Sequence, residues 1–309
     1  MLRIATRGSD LALAQARRIQ QRLSEAGKAA ELLVIKTRGD VALDLQLSEN
    51  LHKGLFTSEV EAAVGEGRAD LAVHSLKDMP TAVEASCSEP IVIERVAPED
   101  VLLVAPGAVI DGNVLPVRTA GRVGTSAARR TAMLTAWRPD LEVVPIRGNV
   151  PTRVQKLLDG DVDAIILARA GLHRLQLNLH PLRVFILKPE IWLPAPGQGA
   201  IAVQTRLEDR ELQEVLGRLS NPVQAQAVAL ERQALAFSEG GCHVPFGALA
   251  ERAEEGDWQL RVGQSVAGAW RTNVALGAID GLAKRAFQGL AEGQSLEPHS
   301  LWRLLDDPL

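Results

Sequence analysis

Cysteine is nearly missing from this chain: Cys87 and Cys242 are the only two among 309 residues, far apart and in loops of different character. That excludes a disulfide framework and fits a reducing compartment. The six histidines, His52, His74, His173, His180, His243 and His299, are scattered without Cys-x-x-Cys or His-x-x-x-His spacing, so no metal site is expected. Positive charge is not in excess either. The formal net charge is −4, which removes the global basic field that holds nucleic acid and leaves anion binding to locally focused arginines. No apolar run approaches the roughly 20 residues that span a bilayer. The N-terminus, Met1-Leu2-Arg3-Ile4-Ala5-Thr6, opens directly as a strand without an apolar leader, so a cytoplasmic protein with no membrane partner is expected. Tyrosine is absent altogether, a compositional oddity with no physical account.

What is present suffices for real cores: 46% of the residues are hydrophobic, and the length suits two or three domains. The first third alternates apolar runs with amphipathic segments. It reads as strand 2–6, helix 9–26 capped by Ser9, strand 32–37, helix 58–66 and strand 70–74. Ser58 with Glu61 forms a capping-box pattern at the start of the second helix. After a strand at 91–94 and a hinge at Ala97-Pro98-Glu99-Asp100, the α/β rhythm restarts. Strands are expected at 101–104, 123–125, 143–146 and 164–167, with helices over 126–137 and from Pro151, a residue suited to a first helical turn. The apolar strand 200–204 follows a Pro/Gly passage and has no helical partner nearby, so it is expected to cross back to the first domain. A long helix over 223–237, strands at 246–250, 258–263 and 274–279, and a final helix indicate a third, α+β domain. The expected boundaries are 1–96 with 198–217, 100–193, and 221–309.

Several arginines stand where a strand gives way to a helix: Arg7, Arg129 with Arg130 after Thr125-Ser126, and Arg147 with Arg153 around Gly148. Ligands of open α/β sheets bind at such strand ends, where helix N-termini already favour anions. The guanidinium fork matches carboxylates or phosphates in bidentate geometry. No phosphate-loop or dinucleotide glycine motif follows these strands, so a multiply charged organic acid is the better fit. The loop His74-Ser75-Leu76-Lys77-Asp78-Met79-Pro80 sets a carboxylate beside an ammonium, either as a turn-forming Asp or as the one acid in a positive site. Cys242 sits in Glu239-Gly240-Gly241-Cys242-His243-Val244-Pro245, a turn that suits a covalent attachment but, taken alone, serves a packing cysteine equally well.

Seven blocks resemble the porphobilinogen deaminase (hydroxymethylbilane synthase) family in order and spacing. They are Thr6-Arg7-Gly8-Ser9-Asp10-Leu11-Ala12, Lys53-Gly54-Leu55-Phe56, the His74–Pro80 loop, Gly124-Thr125-Ser126 with Arg129-Arg130, Arg147-Gly148-Asn149-Val150 with Thr152-Arg153, Pro196-Gly197-Gln198-Gly199, and Glu239-Gly240-Gly241-Cys242. The resemblance implies two similar α/β domains of periplasmic-binding-protein type with the active site in the cleft between them, plus a smaller α+β C-terminal domain. It implies a dipyrromethane cofactor held by a thioether to Cys242, no metal, and a monomer acting on porphobilinogen, four of which are joined head to tail with loss of ammonia. By the same resemblance Asp78 is catalytic. Ser9, Lys77, Thr125, Ser126, Arg129, Arg130, Arg147 and Gly148 meet the cofactor. Arg7, Arg147, Arg153, Arg174 and Gln198 meet substrate, and Lys53 and Phe56 belong to a mobile loop. The chain departs from the family at Ala127-Ala128, where a serine commonly precedes the double arginine, and at Ser58, where lysine is frequent.

Two other readings compete. Two α/β lobes with a hinge also describe solute receptors, which fold alone does not separate from enzymes. The missing leader and the open turn at Cys242 speak against that. A hydrolase using Cys242 with His243 is disfavoured because adjacent residues on an extended turn point apart.

Overall fold

Ser9 ends the first strand and starts the first helix. Its extended backbone and its side chain, which accepts from the N–H of Ala12, cap α1 (Asp10–Glu25) directly after β1 (Leu2–Arg7). The computed structural model describes residues 1–37, 57–110, 114–238, 244–295 and 302–304. Beyond α1 the chain runs through β2 (Ala30–Ile35), α2 (Ser58–Gly65), β3 (Leu71–Ser75), β4 (Ile91–Arg95), β5 (Asp100–Val104) and β6 (Arg122–Gly124). It continues with α3 (Ala128–Trp137), β7 (Glu142–Val144), α4 (Val150–Leu158), β8 (Ala164–Ala168), α5 (Arg169–Leu175), β9 (Arg183–Leu187), β10 (Ala200–Thr205) and α6 (Arg210–Leu219). The last third holds α7 (Pro222–Phe237), β11 (Phe246–Arg252), β12 (Trp258–Val266), β13 (Ala269–Gly277), α8 (Leu282–Gln288), β14 (Gln294–Ser295) and β15 (Trp302–Leu304). Among the described residues no helix is long and apolar enough to cross a membrane.

The chain forms two compact units, Met1–Val96 with Gly199–Gln226, and Ala97–Gln198 with Ala227–Leu309. In the first, a sheet of order β2-β1-β3-β10-β4 is parallel from β2 to β3, and β10 runs antiparallel to both its neighbours. β10 crosses back as its sequence indicates: all six of its residues are buried, which a central strand requires and a solvent-facing one does not. Ile4, Ile19, Leu71, Ile201, Val203 and Leu216 form the core on one face of this sheet, and Ala5, Val60, Val64 and Ala72 pack together on the other.

One expectation fails here. The N-cap of α2 is Thr57, not Ser58, and its side chain makes no capping hydrogen bond; Ser58 instead donates to the Glu59 carboxylate at 3.3 Å. Glu61 joins Val60 and Val64 among the buried residues of α2. Burial raises the pKa of that carboxyl, with the charge of Glu84 acting in the same direction.

In the second unit the larger sheet has the order β15-β9-β5-β8-β6-β7. Leaving β15 aside, it repeats the first pattern: β7, β6 and β8 are parallel, β5 is the antiparallel insert, and β9 follows. A second sheet, β11-β12-β13-β14, is antiparallel throughout. Phe246, Leu260 and Val262 from one face of it pack with Leu230, Leu235 and Ala286 of α7 and α8. On the β11 strand, Gly247 lets the chain at 193–194 come close: a Cβ there would lie 2.7 Å from the Leu193 Cβ, and the next N–H, of Ala248, donates to the Pro194 carbonyl at 3.0 Å.

β13 begins at Ala269, five residues before the sequence suggests, because Ala267 (φ 51°) and Gly268 (φ 83°) close a two-residue hairpin between Val266 and Ala269. Alanine in a left-handed position hides that turn from composition.

Candidate active site

β1 brings Arg7 and the Ser9 cap to its carboxyl end, and its parallel neighbour β3 ends beside them. After Ser75 the chain enters a short 3-10 turn, Leu76–Asp78, anchored by the buried Leu76 and leaving Lys77 half-buried and Asp78 exposed. Arg7, Ser9, Gln15, His74, Ser75 and Asp78 all line one cavity of about 90 Å³. Gln15 and Ser75 hold each other by two hydrogen bonds, the amide donating at 2.8 Å and the hydroxyl at 3.0 Å. His74 is buried, its Nε2 meets no partner among the described residues, and burial pushes its pKa down to about 4. The imidazole is therefore neutral near pH 7.

In the second unit, β6 hands over to α3 through Thr125, Ser126 and Ala127. Thr125 Oγ1 accepts from the N–H of Ala127 at 3.3 Å. Ser126 Oγ donates to the Ile146 carbonyl at 2.8 Å and accepts the Ile146 N–H at 3.1 Å, clamping this turn to the segment after β7. Ala127 caps α3 without a side-chain hydrogen bond, so no cap side chain covers the first N–H groups of that helix.

Next to Ile146 come the exposed Arg147 and then Gly148, at φ +108°. A Cβ at Gly148 would lie 2.7 Å from Thr152 Cγ2, so both the backbone conformation and the space demand glycine. Arg153 donates from Nε to the Gly148 carbonyl at 2.8 Å, and Asn149 caps α4 by accepting from the N–H and the hydroxyl of Thr152 at 2.9 and 2.7 Å. Arg147 and Arg153 thus flank a helix start, where the dipole favours an anion. Arg174 is half-buried on α5.

The double arginine turns inward. Arg129 and Arg130 are 6% and 5% exposed, and both reach Asp100, which is 0% exposed. Arg129 Nη2 lies 2.8 Å from Asp100 Oδ2, and Arg130 grips the carboxylate in bidentate fashion, with Nη2 at 2.7 Å and Nε at 3.2 Å. Arg129 also donates to the Leu193 carbonyl and Arg130 to that of Ile166. Trp192 Nε1 at 2.9 Å and Gln198 Nε2 at 2.8 Å complete the shell of Asp100. Burial alone would raise the pKa of Asp100, but the two guanidiniums outweigh it and hold the carboxyl well below the usual carboxylate range. Two guanidinium charges against one carboxylate leave one positive charge in surplus inside this cluster.

Known proteins match along most of the chain. Residues 2–214 fit the family model described as "Porphobilinogen deaminase, dipyromethane cofactor binding domain". A porphobilinogen deaminase of Roseiflexus castenholzii is 40% identical over 310 residues, covering 100% of this chain and 95% of that protein. The chain belongs to the porphobilinogen deaminase family. A second member, from Maridesulfovibrio salexigens, is 44% identical over 250 residues, covering 80% of this chain and 79% of its own. Among solved structures, the VFT2 domain of Bordetella pertussis BvgS is similar at 16% identity with a TM-score of 0.44, covering 74% of this chain and 92% of that one.

Of the residues that carry the resemblance to porphobilinogen deaminases, Arg7, Ser9 and Asp78 meet at one cavity, with Lys77 next to Asp78 in the turn. Thr125, Ser126, Arg147, Gly148 and Arg153 gather at two adjoining strand ends, tied by the Ser126–Ile146 clamp. Arg129, Arg130 and Gln198 meet around Asp100. Cys242, Lys53 and Phe56 lie outside the described residues. Sequence reasoning missed Asp100, which it placed in a hinge. Asp100 instead opens the fully buried strand β5, and the signal was available: an acid directly before Val101-Leu102-Leu103-Val104 enters the core and needs cationic partners there.

Proposed function

We propose that the chain is a hydroxymethylbilane synthase, a transferase of tetrapyrrole biosynthesis. It joins four porphobilinogens head to tail with loss of ammonia onto a dipyrromethane primer held by a thioether to Cys242, and then releases the linear tetrapyrrole by hydrolysis. The observation that carries this reading is the shared cavity of Asp78, Arg7 and Ser9, in a chain that a porphobilinogen deaminase matches over its full length. An acid beside a cation at the ends of two parallel strands suits a substrate that carries carboxylates and a reaction that develops positive charge.

The side chains present fit the dipyrromethane. Its rings carry acetate and propionate groups, and the Arg129–Arg130–Asp100 cluster is one negative charge short. The first turn of α3 and the Arg147–Arg153 turn add donors for further carboxylates. When bound, that group supplies the free pyrrole α-carbon onto which the chain grows. Asp78 accepts a hydrogen bond from the pyrrole N–H of the incoming porphobilinogen. As the C–N bond breaks and ammonia leaves, it stabilises the positive charge on the substrate's methylene carbon. Once the new C–C bond has formed, Asp78 receives the proton released as aromaticity returns. Arg7 binds substrate carboxylate at the same cavity and Arg174 binds one in the second unit, whereas Gln198, whose two amide N–H bonds go to Asp100 and the Pro98 carbonyl, supports the double arginine instead; Lys77, Lys53 and Phe56 complete the site by resemblance.

The second unit, with two sheets, divides further in this proposal, giving domains at 1–96 with 198–217, 100–193, and 221–309. The protein acts as a cytoplasmic monomer with porphobilinogen as its partner and neither nucleic acid nor membrane. Incubation with porphobilinogen tests the reading: one ammonia is released per porphobilinogen consumed, and hydroxymethylbilane accumulates. No consumption of porphobilinogen by the intact protein would overturn it.

A further inference from the structure

We infer that Asp100 is a positioning residue for carboxylate binding, fixing the guanidinium planes of Arg129 and Arg130 without itself touching ligand. The inference rests on the proposal that these two arginines bind carboxylates of the pyrrole chain. Three observations carry it.

First, Asp100 has no acceptor capacity left. Five N–H donors converge on it, three on Oδ2 from Arg129, Arg130 and Trp192 and two on Oδ1 from Arg130 and Gln198, against about four lone-pair sites on a carboxylate. Its role is therefore to orient its donors. Second, Asp100 cancels one of the two buried positive charges and leaves the other for an incoming anion. Neutral at this position, the pair would carry two uncompensated charges and the guanidiniums would repel each other. Third, two of the five donors, Trp192 and Gln198, come from one strap, residues 192–198, that is itself tied down. Trp192 and Gln198 bond to Asp100, the Leu193 carbonyl accepts from Arg129 at 2.6 Å, and the Pro194 carbonyl and the Gly197 N–H are held by Ala248 of β11 and Glu231 of α7. The smaller sheet and α7 thereby fix the strap, the strap fixes Asp100, and Asp100 fixes the two arginines.

The test uses the full-length holoprotein and three variants, Asp100→Asn, Trp192→Phe and Arg129→Lys. For each, the bound dipyrromethane is quantified by intact mass, KM and kcat are measured with porphobilinogen well below the melting midpoint, and the midpoint is recorded. Expected for Asp100→Asn is a loss of cofactor loading or a rise in KM of about 10- to 100-fold, the scale set by misplaced binding groups. Trp192→Phe, which keeps an aromatic side chain but removes one donor and part of a fully buried indole, lowers the melting midpoint and, measured well below it, raises KM several-fold with kcat less changed. If Asp100→Asn does not fold, Trp192→Phe decides, and an unaltered KM there overturns the inference. Wild-type loading and KM in a folded Asp100→Asn, with Arg129→Lys impaired, overturns the positioning role alone. Full loading and normal KM in Arg129→Lys removes the carboxylate-binding reading, and the inference with it.

Discussion

The carboxylate of Glu231 receives the backbone N–H of Gly197 at 2.8 Å while also accepting that of Ala250 at 2.9 Å, both bonds in the fully buried interior. One side chain of α7 so joins the strap before β10 to the strand β11. Glu231→Gln keeps the volume but presents an amide N–H₂ to one of these N–H groups, leaving a buried donor unpaired. A destabilisation of about 2–4 kcal/mol is expected, read as a lower denaturant midpoint at unchanged slope. An unaltered midpoint would show that these two bonds contribute nothing to stability.

Gly148→Ala meets two obstacles, the positive φ and the 2.7 Å approach to Thr152 Cγ2. A cost of about 1–3 kcal/mol follows from a non-glycine residue held in that conformation. Because Arg147 precedes and Arg153 bonds to this residue, KM for porphobilinogen rises as well. Adding Thr152→Ser removes the clashing methyl but not the backbone strain. The double variant therefore recovers part of the stability in thermal melts, and complete recovery would assign the whole cost to the clash.

How far the sequence reveals this molecule depends on the range of the forces involved. Ser9, Asn149 and Pro151 act on their own helix, so α1 and α4 start where local pattern places them. β10 was legible as a buried strand because its six residues share one environment. β9 and the short α5 were not, since their contacts lie with strands far away in sequence. The arginines at strand ends were legible as a set by position, whereas the inward turn of Arg129 and Arg130 was not. It depends on Asp100, 29 and 30 residues earlier, and on Trp192 and Gln198 far beyond.

His74 makes stability fall in acid. Its native pKa of about 4 lies below the ordinary value of 6.5, so between those values the unfolded chain binds more protons than the folded one. The neutral ring's contribution is complete above pH 6.5 and is lost as pH falls toward 4, at up to about 1.4 kcal/mol per pH unit. Denaturant melts of the parent protein and of His74→Phe across this range check it. The variant has the shallower slope, and identical slopes would show that His74 does not titrate this way.

Asp78→Asn removes an exposed carboxylate from the cavity without touching the core. Stability stays within about 0.5 kcal/mol, as for surface changes generally, while single-turnover incorporation of porphobilinogen falls roughly 10²- to 10⁴-fold, the scale of lost general acid–base assistance. Near-normal turnover would take Asp78 out of the chemistry.

The most direct measurement is the intact mass of the purified protein beside that of Cys242→Ser. The parent carries an addition equal to two linked pyrrole units, peptide mapping places it on Cys242, and the serine variant lacks both the addition and turnover of porphobilinogen. A fully active parent protein with unmodified Cys242 would contradict this.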